Sequence, residues 1–298
     1  MHHYHLREEQ IRESKKLVKD DPRIHEPVMG DFYPEVLNND DVILILQAQD
    51  IGHVTRSGAV KTELMNLSGL NLTQVSFLEM NNFERSDLRY TNFEGISQDR
   101  ISFRGASAEY AQFVDADIPL TNFTRTRLDS ANLYNANAPE SKFTGAIAPR
   151  ALFALANLED SKFDEGLFKL AEFNEANLAG SSAKYTSFEG ASFRNANLQD
   201  LDFKGANLRG ANFVEANLRG VNFKNASLEG ANFEGADIAG ANFSGTDLNQ
   251  ANFFKVRNAE LKQFKSSKTR IGINNIPDYV YTKQRSFKTR FKAPSTPY

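Results

Sequence analysis

The chain contains no cysteine. That excludes a disulfide framework, a thiolate metal site and a cysteine nucleophile together. Histidine is scarce: His2, His3, His5, His25 and His53 are the whole set, all near one end. The first three, within "MHHYH", have the chemistry to bind a transition metal, but the stretch is read as a frayed terminus. Long apolar runs are missing as well. The first thirty residues are polar, with no secretory h-region, and "VILIL" at 42–46 is far too short to span a bilayer. A soluble, intracellular protein with no membrane span is therefore expected. No phosphate-cradling G-x-x-x-x-G-K-[ST], no H-E-x-x-H and no G-x-S-x-G occurs. The expectation is a protein that is not an enzyme and needs no metal or cofactor.

What the sequence does have is a period of five. "ANLRGANFVEANLRGVNF", residues 206–223, repeats a small residue, Asn, a bulky apolar residue and two variable positions. Counted from Phe213 in steps of five, the register is unbroken from Phe83 to Phe253, 35 centres. Eighteen are Phe, ten Leu and two Ile; the exceptions are Gln98, Ala108, Ala138, Ala148 and Ala183. Two residues before each centre stands Ala in 20 cases and Ser or Thr in nine. Residues two apart on an extended segment share a face, so the small and bulky residues both point inward and the rest outward. Gly ends twelve of the 35 units, which suits a corner that needs positive φ. Short edges joined by corners wind into a solenoid.

The number of edges per coil follows from alternation. From Phe193 onward the centres run Phe193, Leu198, Phe203, Leu208, Phe213, Leu218, Phe223, Leu228 and Phe233. A three-sided coil would stack Phe over Leu, whereas a four-sided coil of twenty residues stacks like over like. The square is favoured, with these nine residues as structural core. Larger residues at the small position are expected to overpack it. Around 96–108, where Ile96 and Ile101 hold small positions and Gln98 and Ala108 bulky ones, large and small have changed places and local distortion is expected.

The units "ANLRG", "ANFVE", "ASLEG" and "ADIAG" resemble the pentapeptide-repeat family, with its A(D/N)LXX consensus, over roughly residues 65–263. The resemblance implies an all-β solenoid, a right-handed quadrilateral β-helix. It points to functions that range from quinolone-resistance proteins that resemble duplex DNA and bind gyrase to secreted effectors.

Three regions are expected: an N-terminal cap or adaptor at 1–62, the repeat β-helix at 63–263 and a basic aromatic tail at 264–298. In the first, "REEQIRESKKLVK" at 7–19 reads as a helix and "DVILILQAQ" at 41–49 as a buried strand, together covering the end of the array. Units centred on Leu67, Leu72 and Phe77 begin the array, with one extra residue before Phe83 that implies a bulge. At the other end the register fails, with Asn258 where a bulky centre is due.

Residues 254–298 carry eleven Lys or Arg against Glu260 and Asp278, a balance of +9, while 83–253 sums to −7 and 1–82 to −5. Phe264, Tyr279, Tyr281, Phe287 and Phe291 are interleaved with the tail's cations. Such a mixture can bind single-stranded nucleic acid or anchor a docking arm on a protein surface. The docking arm is favoured, with "IPDYVYTKQRSF" at 276–287 as its core and protein partners, a homo-oligomer or a large assembly as its target. Nucleic acid is disfavoured.

Two functions follow. One is a structural scaffold, a rigid β-helical rod docked by its ends into an assembly such as a phage particle or an organellar complex. The alternative is a DNA mimic that binds a topoisomerase or another DNA-binding protein. With strands ~4.8 Å apart, almost nine coils make a rod about 42 Å long; duplex DNA of that length carries roughly 25 charges. The array's net seven make a dilute mimic, and the scaffold is preferred.

Overall fold

A five-residue unit folds as a β-helix edge only if each of its backbone donors finds an acceptor. Residues 201–205 show how this is done. The Phe203 N–H donates to the Asn222 carbonyl at 2.9 Å and the Gly205 N–H to the Lys224 carbonyl at 2.9 Å, both one coil on; the Asp202 N–H donates one coil back, to Ser181, at 3.0 Å. The Leu201 N–H closes the preceding corner onto the Leu198 carbonyl at 3.1 Å. The fifth donor, the Lys204 N–H, is accepted at 3.0 Å by the Asp202 carboxylate. This Asx turn explains the Asn or Asp that stands before 20 of the 35 centres: its short side-chain oxygen replaces a strand partner that the corner cannot supply.

The computed structural model describes residues 65–73, 75, 81–264, 266 and 267. The expected helix at 7–19, strand at 41–49 and docking segment at 276–287 lie outside them. The chain divides into two units, Met1–Asn157 and Leu158–Tyr298. In the first, parallel bridges link Asn66 to Asp87 and Asn71 to Asn92, then run from Asn82–Ser102 to Asn137–Asn157. The offset is 21 in the first two pairs and 20 thereafter, as one extra residue before Phe83 requires. In the second unit the offset of 20 holds from Lys162–Ser182 to Asp237–Arg257. Four five-residue edges thus make each coil. Among the described residues there is one helix, α1, Leu261–Phe264.

All 35 corners from Arg85 to Lys255 have φ between +54° and +71°, although only twelve are Gly. A turn with positive φ at its third residue is what lets the chain bend sharply and resume an edge. For each of the other 23 residues the left-handed conformation costs about 1 kcal/mol or more. None of the 23 is Val, Ile, Thr or Pro, the types this conformation penalises most.

The core is built in columns. Phe193, Leu198, Phe203, Leu208, Phe213, Leu218, Phe223, Leu228 and Phe233 are all fully buried. In the second unit Phe193, Phe213, Phe233 and Phe253 stack at 5.2, 5.0 and 4.7 Å, and Phe203, Phe223 and Phe243 at 5.5 and 5.1 Å. The two columns meet edge to face, as between Phe213 and Phe223 at 5.8 Å and 76°, the arrangement aromatic quadrupoles favour. Ala183 interrupts one column, and Phe168 and Phe188, stacked at 5.2 Å, stand where Leu occurs elsewhere in theirs. Phe188 meets Phe203 edge-on at 5.6 Å. One ring lost is offset by rings gained in the neighbouring column.

One expectation needs correction and another is narrowed. Leu201 and Val221 occupy small positions yet are fully buried with the ladder intact; Ser181 and Ala183, both small, lie one coil from Leu201 and leave it volume. Around Gln98 the ladder also continues, with Gln98 N–H to Asp117 at 2.9 Å and Asp117 N–H to Ile96 at 2.7 Å. Ile96 is buried, while half-exposed Gln98 turns its amide to the Asp99 carbonyl at 3.1 Å. The change of places is accommodated, and irregularity is confined to an open bend at 99–100.

Candidate interaction surfaces

A solenoid of stacked edges leaves an unpaired edge and an open core at each end, and these must be covered. At the C-terminal end of the second unit α1 does this. Phe264 stacks on Phe243 at 5.3 Å and meets Phe253 edge-on at 5.4 Å. It stands 21 residues after Phe243, so one inserted residue lets the aromatic column continue beyond the apparent failure of register at Asn258. The Gln263 amide donates to the carbonyls of Ile238 at 2.6 Å and Ala241 at 3.2 Å, and its oxygen accepts the Glu260 N–H at 2.6 Å. The Gly245 N–H donates to the Ser266 carbonyl at 2.7 Å. Phe264, expected to dock on a partner, is therefore buried in its own chain, because the last rings of the core need covering. Tyr279, Tyr281, Phe287 and Phe291 lie outside the described residues.

The outer surface is laced by side-chain ladders. In the second unit Asn217 donates to Asn197 and Asn197 to Asn177, both at 2.9 Å. Each such amide accepts from its own corner and donates along the stack, as in the Asn ladders of cross-β structures. On another face Lys169 pairs with Glu189 at 3.0 Å and Arg209 with Glu229 at 2.6 Å. The Lys169 ammonium, by hydrogen bond and charge, holds the Glu189 carboxyl below its ordinary range, with help from Arg209. Asp237 is buried, which opposes ionisation, yet its pKa is lowered overall. Asn258 at 2.8 Å, Arg219 at 2.8 Å and the Ala239 N–H at 3.1 Å outweigh the desolvation.

Not all charge is paired. Stacking every twentieth residue sorts charge onto faces that the linear sum conceals. In the first unit the face centred on Phe83, Phe103, Phe123 and Phe143 bears Arg85, Arg104, Arg125 and Lys142 against Glu84 alone, four minus one. The other three faces of residues 83–157 carry four cations against eight acids. There Arg89, Arg100 and Arg127 are paired with Asp87, Asp99 and Glu109. Tyr134, Leu152 and Leu155 are exposed on one face, and Ile147 on the next.

Among the described residues no group of three or more His, Asp or Glu side chains is placed to hold a metal ion. No helix among them is long and apolar enough to cross a membrane.

Two family models match: "pentapeptide repeat region" over 182–253 and "pentapeptide repeats (8 copies)" over 110–145. Curated proteins give no match. Among solved structures, a pentapeptide repeat protein from the Arabidopsis thaliana thylakoid lumen is 30% identical over 41% of this chain and 78% of its own, with a TM-score of 0.22. HetL, involved in heterocyst differentiation regulation in the cyanobacterium Nostoc, is 21% identical over 76% of this chain and 95% of its own, with a TM-score of 0.34. QnrB1, a plasmid-mediated fluoroquinolone resistance protein, is 17% identical over 63% of this chain and 94% of its own, with a TM-score of 0.37. With 35 units in one register and both repeat models matched, the chain belongs to the pentapeptide-repeat family.

Proposed function

We propose that the protein is a non-enzymatic scaffold, a right-handed quadrilateral β-helix at 63–263 docked through an N-terminal region at 1–62 and a basic tail into a larger protein assembly. The observation that carries this reading is the seal at the end of the array. Gln263 binds the carbonyls of Ile238 and Ala241, and Phe264 covers the rings of Phe243 and Phe253. Residues 268–298, with seven Lys or Arg against Asp278, follow this seal in the chain. Aromatic anchors amid cations suit docking on an acidic protein surface, the charge guiding encounter and the rings supplying affinity. Tyr279, Tyr281, Phe287 and Phe291 are the anchors of this reading.

The test is affinity capture with the intact chain beside a chain ending at residue 267, which keeps the seal. Partners recovered by the intact chain and lost on truncation support docking through the tail. Equal recovery by both rejects it. The alternative of a DNA mimic draws on the excess of acid over the other three faces of the first unit. Its support weakens on the face of Arg85, Arg104, Arg125 and Lys142, where a duplex mimic needs negative charge. Recovery of a topoisomerase, displaced by duplex DNA, would favour it.

A further inference from the structure

We infer that the cationic face of the first unit is a binding surface for an extended acidic polypeptide segment of a partner protein. The inference does not depend on docking by the chain's ends. Arg85, Arg104, Arg125 and Lys142 are all exposed, in four successive coils bridged through Asn82, Ser102, Asn122 and Lys142. None of the four makes an ion pair among the described residues, and Glu84, the one acid of that face, is engaged by the Ser102 hydroxyl at 2.9 Å. The contrast with Arg89, Arg100 and Arg127 matters: those cations are neutralised within the fold and these are not.

Geometry selects among anions. The outward residues of one face are three extended positions wide, about 10 Å, and beside the acids already paired with arginine the flanking faces carry Asp117 and Glu140 on one side and Asp129 on the other. A duplex, whose major groove alone is about 12 Å wide, would overlap those carboxylates. Single-stranded nucleic acid is narrow enough but binds by stacking on aromatic rings. The outward positions of this face from 82 to 145 hold none. An extended acidic segment meets neither obstacle. Alternate residues of a strand place same-side carboxylates about 7 Å apart, so two or three of them fall within the ~14 Å spanned by three coil steps. Three of the four cations are arginine, whose planar fork engages a carboxylate with two parallel hydrogen bonds.

The test uses the full chain and a fluorescein-labelled peptide of about twelve residues with Glu at alternate positions, followed by fluorescence anisotropy at about 50 mM salt. Arg85→Gln/Arg104→Gln/Arg125→Gln should bind the peptide about tenfold more weakly than the parent, while the tail's cations stay unchanged. Arg104→Gln alone should show a loss of about twofold, and it keeps the test decisive if the triple variant folds poorly. Unchanged affinity in both variants, or no binding by the parent, overturns the inference. So does tighter binding of an oligothymidylate that the same substitutions abolish, since the face would then be a nucleic-acid surface.

Discussion

Phe203 and Phe223, twenty residues apart, stack ring on ring with centroids 5.5 Å apart and planes inclined by 11°. Both are fully buried, and each also meets Phe213 edge-on, at 6.2 and 5.8 Å. Removing one ring leaves a void that stacked coils cannot close without breaking their ladders. Phe223→Ala is expected to cost about 3–5 kcal/mol, read from urea denaturation of the parent and the variant.

Gly166 holds a small inward position because of the ring beside it. A Cβ there would lie 2.4 Å from Cε2 of Phe168 and 3.1 Å from the Phe163 carbonyl oxygen. Gly166→Ala should destabilise the protein by about 1–3 kcal/mol through overpacking. Adding Phe168→Leu, which trims the ring, should recover part of that loss, and a double-mutant cycle in thermal melts measures the coupling.

Corners offer a paired test of backbone strain. Leu155 is exposed with φ of +62°, so Leu155→Gly should raise stability by about 1 kcal/mol. Gly230 has φ of +69° and nothing within 4 Å of an added Cβ. Gly230→Ala should therefore lower stability by about the same amount, with conformation as the sole cause. Opposite shifts in melting temperature check both.

The seal separates from the tail on truncation. Gln263→Ala should cost about 1–3 kcal/mol by removing the side-chain partner of the Ala241 carbonyl and of the Glu260 N–H and the second donor to the Ile238 carbonyl, which keeps the Ala241 N–H. A chain ending at residue 267 should melt like the parent, whereas one ending at 263 should melt lower, because Phe264 covers Phe243 and Phe253. Calorimetry of the three chains measures this.

Asp237 gives a pH dependence with a defined sign. Its pKa is lowered in the fold, so its contribution is fully present above the unfolded carboxylate value of about 3.9 and is lost as pH falls through the lower folded value. Melting temperature should fall with acid in that window. Asp237→Asn should flatten the slope there and leave it unchanged near neutrality.

The sequence by itself determined what repeats. The five-residue spacing follows from inward pairs two apart plus a bend, and the exchange of Phe and Leu from Phe193 to Phe253, with Ile238 once in place of Leu, set four edges to a coil, because like must stack on like. Gly at a third of the corners hinted at positive φ, but nothing local foretold it at Arg85, Tyr110 or Leu170; the ladder on either side imposes it. The Asn recurring before the centres was legible as a pattern, not as a hydrogen-bond acceptor, since the corner N–H that it serves appears only once the turn is built. Phe264 could not be assigned from its neighbours, because an inserted residue breaks the period and only the rings of Phe243 and Phe253, which it covers, say where it belongs. The charge of a face likewise belongs to the tertiary structure. Arg85, Arg104, Arg125 and Lys142 are far apart along the chain, and it is the coil's twenty-residue turn that brings them to one side while sending most of the acids elsewhere.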